Sequence, residues 1–94
     1  MAIKAVATVQ VDNARVRVTE WRFAPGAETG WHRHEMDYVV VPLVDGEVRI
    51  DEPDGTSRVV AMTAGGSYAR EVGVHHNVTS VNDVEFAFVE VELK

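Results

Sequence analysis

The chain has no cysteine among its 94 residues. No disulfide can therefore compensate for the lean core of so short a domain, which buries only roughly 60–65% of its unfolded surface. Its extra stability must come from tight packing, a bound metal or a second copy. Basic residues are also few: 9 against 15 acidic, a net charge of −6, with no run of one sign. This disfavours a nucleic-acid partner and an anionic membrane surface, both of which demand a basic face. No stretch approaches the 18 apolar residues of a membrane span, and the start MAIKAVATVQ has no apolar core of signal-peptide length. These absences lead us to expect a soluble cytoplasmic protein. Apolar periodicity of 3.6 residues is missing as well, which leaves little room for helix.

What is present is valine in short runs, cut by Gly, Pro, Asn and Asp about every 8–12 residues. That is the pattern of an all-β chain, and a closed or double-sheet barrel in one domain over residues 1–94 is the economical architecture. Strands are expected over 5–11, 15–24, 31–34, 38–44, 47–51, 58–62, 68–70, 76–81 and 85–93. Turns fall at Asp45-Gly46, at 52–55, at 64–67 and at Asn82-Asp83. In the second strand the apolar parity changes from Val16 and Val18 to Trp21 and Phe23, which suggests a bulge or layer change near Thr19-Glu20. The last strand changes in the same way, from Phe86 and Phe88 to Val89, Val91 and Leu93. The run 38–44 is apolar throughout, so it is buried on both faces or forms a subunit contact, with an edge or bulge at Pro42.

The chemistry concentrates between residues 25 and 46. His32 and His34 are spaced i, i+2, which puts both rings on one face of an extended chain. His76 joins them from much later in the sequence. The spacing of these histidines resembles that of the cupins over nearly the whole chain. The first cupin motif is matched by Gly26, five residues, His32-Arg33-His34 and Gly46; the second is matched by Gly65, Gly73 and His76. Within that family the chain is similar to the small single-domain cupins of bacteria, including those of β-alanine degradation. The resemblance implies a jelly-roll, double-stranded β-barrel of the RmlC-like type, and a homodimer.

It also implies a metal site, of whose four ligands three carry over: His32, His34 and His76. The motif glutamate falls at Tyr38 or Val39, the motif proline at Glu71 and the motif asparagine at Ser80. Asp37 and Glu35 are the carboxylates nearest the gap. Three neutral imidazoles suit Fe(II), Ni(II), Zn(II) or Cu(II), and Mn(II) less well. Three protein ligands leave positions open for water and substrate. Among cupins the arrangement is similar to that of thiol dioxygenases and some carbon–carbon-cleaving dioxygenases, which implies Fe(II) first.

Beside the metal, Tyr38 and Arg70 are the candidate catalytic groups. Tyr38 would offer its hydroxyl to a substrate, or else is a packed strand tyrosine. Arg70 would bind a substrate carboxylate in its fork, or else is a solvated arginine paired with an acid. His75 should point away from the ligands. Trp21 and Trp31 read as core aromatics, Met36 and Met62 as core or pocket lining. Glu47, Asp51, Glu90 and Glu92 read as a solvated face. Three functions follow: a metal-dependent, dioxygenase-like enzyme on a small polar metabolite; a non-catalytic module that binds such a molecule; or a structural protein with a vestigial site.

Overall fold

The computed structural model describes residues 3–94. Nine strands form two sheets: β1 (Val6–Asp12), β2 (Val16–Phe23), β3 (His32–Arg33), β4 (Asp37–Pro42), β5 (Gly46–Asp51), β6 (Ser57–Met62), β7 (Tyr68–Arg70), β8 (His75–Ser80) and β9 (Phe86–Leu93). One sheet has the order β1-β2-β9-β4-β7, the other β3-β8-β5-β6. All strand pairs are antiparallel. Among the described residues there is no helix. No helix is therefore long and apolar enough to cross a membrane.

Only two connections are hairpins. Asn13 closes β1–β2 by accepting the amides of Arg15 and Val16 (2.8 and 3.0 Å). The turn 52–55 closes β5–β6, with Gly55 at φ 89° and the Thr56 amide donating to Asp54 (2.9 Å). Every other connection hops from one sheet to the other. The expected hairpin at Asp45-Gly46 is therefore a corrected assignment: β4 and β5 lie in different sheets, and Gly46 begins β5. A Cβ at Gly46 would come within 2.6 Å of the Phe86 ring, so the glycine is needed for packing between sheets.

The parity changes do not arise from bulges where they were expected. The β2–β9 register runs unbroken from Val16↔Leu93 to Phe23↔Phe86. The register shift lies in β1, between Val9 and Val11. In β9 the inward residues are Phe86, Phe88, Glu90 and Glu92 throughout, and the outward ones Ala87, Val89, Val91 and Leu93. It is the chemistry of the two faces that reverses along the strand. Near Phe86 the interior is apolar, with Phe23, Phe86 and Phe88 tilted against one another at 5.4–6.3 Å. Toward residue 92 the interior becomes polar and the outside becomes valine.

The run 38–44 divides the same way. Tyr38, Val40 and Pro42 are buried, Val39 and Val41 are half-buried on the outer face, and Leu43 and Val44 are exposed. Pro42 is the last residue of β4, beyond the reach of β7, whose pairing stops at Val40. Its missing amide thus costs the ladder nothing.

Candidate metal centre

The residues 27–34 run beside β8. Ser80 donates to the Ala27 carbonyl (2.9 Å), Thr29 to that of Val78 (2.9 Å), and His34 to that of Val74 (2.8 Å). Within this track, β3 pairs His32 with His76 and Arg33 with His75. Strand alternation then sends His32, His34 and His76 inward, and Arg33 and His75 outward.

The three Nε2 atoms form a nearly equilateral triangle: 3.1 Å from His32 to His34, 3.2 Å from His34 to His76 and 3.1 Å from His76 to His32. Bonds of about 2.0–2.1 Å from one ion to each nitrogen give edges of this size, at roughly 95–100° apart. His34 and His76 are 4% and 6% exposed.

The surroundings of the three rings differ. Gly30 adopts φ 85°, and its carbonyl lies 2.9 Å from His32 Nδ1. A carbonyl only accepts, so Nδ1 carries the proton and the Nε2 lone pair is free. Trp21 lies nearly parallel to the His32 ring, 17° off at 6.3 Å. Tyr38 stacks on His34 at 3.8 Å and 20°. The Nδ1 atom of His76 is buried without a partner.

Burial, followed by the charges of His32 and Arg70, holds His34 down to about 4. Burial also holds His76 down to about 3, helped by His32, His34 and Arg70. Both are therefore neutral donors near pH 7. These features fit a divalent transition-metal ion: three convergent Nε2 atoms at ligand spacing, and buried imidazoles that stay neutral.

The pocket over the triad is lined by His32, His76, Tyr38, Tyr68, Arg70 and Glu90, among apolar walls. Tyr38 and Arg70 are opposite one another across β4 and β7, both on the inner face. Burial raises the Tyr38 phenol well above its ordinary range, against the pull of Arg70. Arg70 makes no ion pair with any described carboxylate.

Three expectations are corrected. Trp31 is not a core residue: it is 54% exposed, edge-on to His75 at 5.8 Å. It precedes His32, so alternation places it outside, with His75. Trp21 does lie within, half-buried against His32. Glu90 and Glu92 are not on a solvated face. Both point inward, and Glu90 is 7% exposed. Burial, then the Glu92 charge, pushes the Glu90 carboxyl up to about 7. Sequence reasoning missed it, although its parity with Phe86 and Phe88 places it inside. Glu47 is exposed as expected, and Asp51 half-exposed. Met62 is core, and Met36 half-buried.

Two antiparallel sheets of this order, closed over inward histidines from β3, the residue after it and β8, define a double-stranded β-helix barrel. The chain belongs to the cupin family: the cupin domain profile matches residues 19–92. It is 58% identical over 91 residues to the β-alanine degradation protein BauB of Pseudomonas aeruginosa, covering 97% of this chain and 95% of that one. A crystal structure of a cupin domain from Bordetella pertussis superposes with a TM-score of 0.96 at 55% identity, covering 100% of this chain and 97% of the other. An RmlC-like cupin family protein of Methanocaldococcus jannaschii shares the fold at 15% identity, with a TM-score of 0.78 over 98% of this chain and 82% of that one.

Proposed function

We propose that this small cupin is a metal-dependent enzyme, dioxygenase-like, acting on a small polar metabolite that carries a carboxylate. The observation that carries this reading is the triangle of converging Nε2 atoms opening onto a pocket that holds an arginine without an ion-pair partner among the described carboxylates. His32, His34 and His76 would hold one divalent ion, Fe(II) by preference. When bound, such an ion supplies Lewis acidity and a place for substrate and O₂ to meet. The Arg70 guanidinium binds the substrate carboxylate through its fork and sets its orientation. Tyr38 stays protonated through the neutral range, so its hydroxyl donates a hydrogen bond. The ring of the same residue fixes His34. Val40 and Phe88 keep the walls apolar and exclude water. A relative named for β-alanine degradation supports a small metabolite bearing a carboxylate.

Elemental analysis of protein purified without chelators or nickel tests this first, beside His76→Ala. We expect near one iron per chain, lost in the variant, and O₂ uptake with small acids or thiols. Wild-type protein that holds no metal would refute the reading. A non-catalytic binding module is the second reading, favoured by Tyr38 standing where the motif carboxylate belongs. Ligand that binds tightly and survives unchanged under O₂ would select it.

We also propose that the chain acts as a homodimer. The outer face of the five-stranded sheet carries Val18, Val39, Val41, Val89, Val91 and Leu93 in adjoining register, a face suited to a second copy. A monomer in light scattering at micromolar concentration would refute it.

A further inference from the structure

The strand that follows the two motif histidines has a tyrosine where its carboxylate belongs, and the acidic residues nearest in sequence do not replace it. Asp37 lies on the outer face of β4, opposite Leu93. There it accepts the Val72 amide at 2.8 Å. Glu35 is exposed. A carboxylate nevertheless stands beside the triad, brought from the far end of the chain.

Glu90 sits in the middle of β9, between Thr19 of β2 and Val40 of β4. It points inward and is 7% exposed. Its Oε2 is 3.8 Å from His34 Nε2, and it lines the pocket shared by His32, His76 and Arg70. No described lysine or arginine pairs with it. Its inward neighbour Glu92 differs, lying 3.8 Å from the Arg17 guanidinium.

Burying a carboxylate without a cation is costly, because the charge loses its hydration. Nothing about the strand requires it, since valine or threonine would fill the position. The Trp21 side chain offers it a hydrogen bond, but no described cation offsets its charge, and a buried carboxylate with so little compensation marks a functional position.

We propose that Glu90, which stands beside His34 in a group with Glu92, swings toward the triad when an ion binds and is the acidic donor of the metal centre, in place of the carboxylate that β4 lacks. The donor set is then three imidazoles and one carboxylate. It is assembled from β3 with the residue that follows it, from β8 and from β9. Because β3 and β8 belong to one sheet and β9 to the other, an ion held by this set would tie the two sheets together. The inference rests on the metal-centre reading above, and its test separates the two.

Cobalt(II) is titrated into metal-free protein against a chromophoric chelator, for wild type, Glu90→Gln and Glu90→Asp. Gln keeps the shape and removes the charge; Asp keeps the charge and withdraws it by one methylene. We expect the Kd to rise about ten- to hundredfold in Gln and less in Asp. Metal-free Glu90→Gln should melt at or above the wild type, because an unpaired buried charge has gone. An unchanged Kd in Glu90→Gln would overturn the inference and leave the three-histidine centre standing. Equal weakening in Gln and Asp, with a lowered melting point in both, would assign the loss to packing and also overturn it. Wild-type protein that takes up no cobalt(II) would sink the inference and the metal-centre reading together.

Discussion

The two ends of the barrel interior are built on the same strands and do opposite work. At one end Phe23, Phe86 and Phe88 pack into a closed apolar cluster. Trp21 and Phe88 form the boundary pair, and beyond it, two and three inward pairs from Phe23 and Phe86, stand Glu90, Glu92 and Tyr38. The first end stabilises the fold. The second holds groups the fold would be more stable without: neutral histidines that resist protonation, a buried carboxylate and an unpaired nitrogen. A domain of this size can carry such a site only because the other end is dry and well packed.

The largest expected effect breaks the packed end. Phe23→Ala, in a residue with no exposed surface, should cost about 3–5 kcal/mol of stability. Metal bound per folded chain should not change. Denaturant melts and metal analysis read both numbers, and a metal-free but normally stable variant would overturn the division of labour.

A smaller effect comes from acidifying the metal-free protein. His34 and His76 have folded values of about 4 and about 3, below the 6.5 of the unfolded chain. Their contribution is complete above pH 6.5 and is lost as the pH falls toward those values. Glu90 runs the other way: raised from 4.5 to about 7, its contribution is complete below 4.5 and is lost as the pH rises through 7. The two trends oppose between pH 7 and 4.5. Glu90→Gln removes one of them, so its melting temperature should fall more steeply across that window than the wild type's. Parallel curves in calorimetry would contradict this.

The smallest effect is Tyr38→Phe. It keeps the ring stacked on His34 and removes only the hydroxyl, so metal affinity should hold within about threefold and stability within about 1 kcal/mol. Affinity for a carboxylate ligand should fall by more than either. Loss of metal instead would mean that the hydroxyl positions the centre.

The sequence showed the strands, the β5–β6 turn and the three histidines, because period-two alternation and HxH spacing are local signals. It hid the two faces of β2 and β9, because hydrophobicity stopped marking the inside. Val89 and Val91 look like core and face outward; Glu90 and Glu92 look like surface and face inward. Apolar character reports burial only where the interior is apolar and the exterior wet, and at this end of the barrel the interior is not. Trp31 misled for a related reason: a large aromatic was weighed by its area, when the phase of its neighbour His32 decides its side.

The strand that presents His32 is the shortest in the barrel, two residues at the edge of its sheet. Such a segment is among the first to open while the rest of the protein stays folded. Assembly of the donor set is therefore a local closing equilibrium set against β8, independent of global unfolding. An ion held there would shift that equilibrium by mass action: amide hydrogens over 32–34 should exchange faster in the empty protein and slow as the site fills, which would make this short edge a gauge of its own ligand.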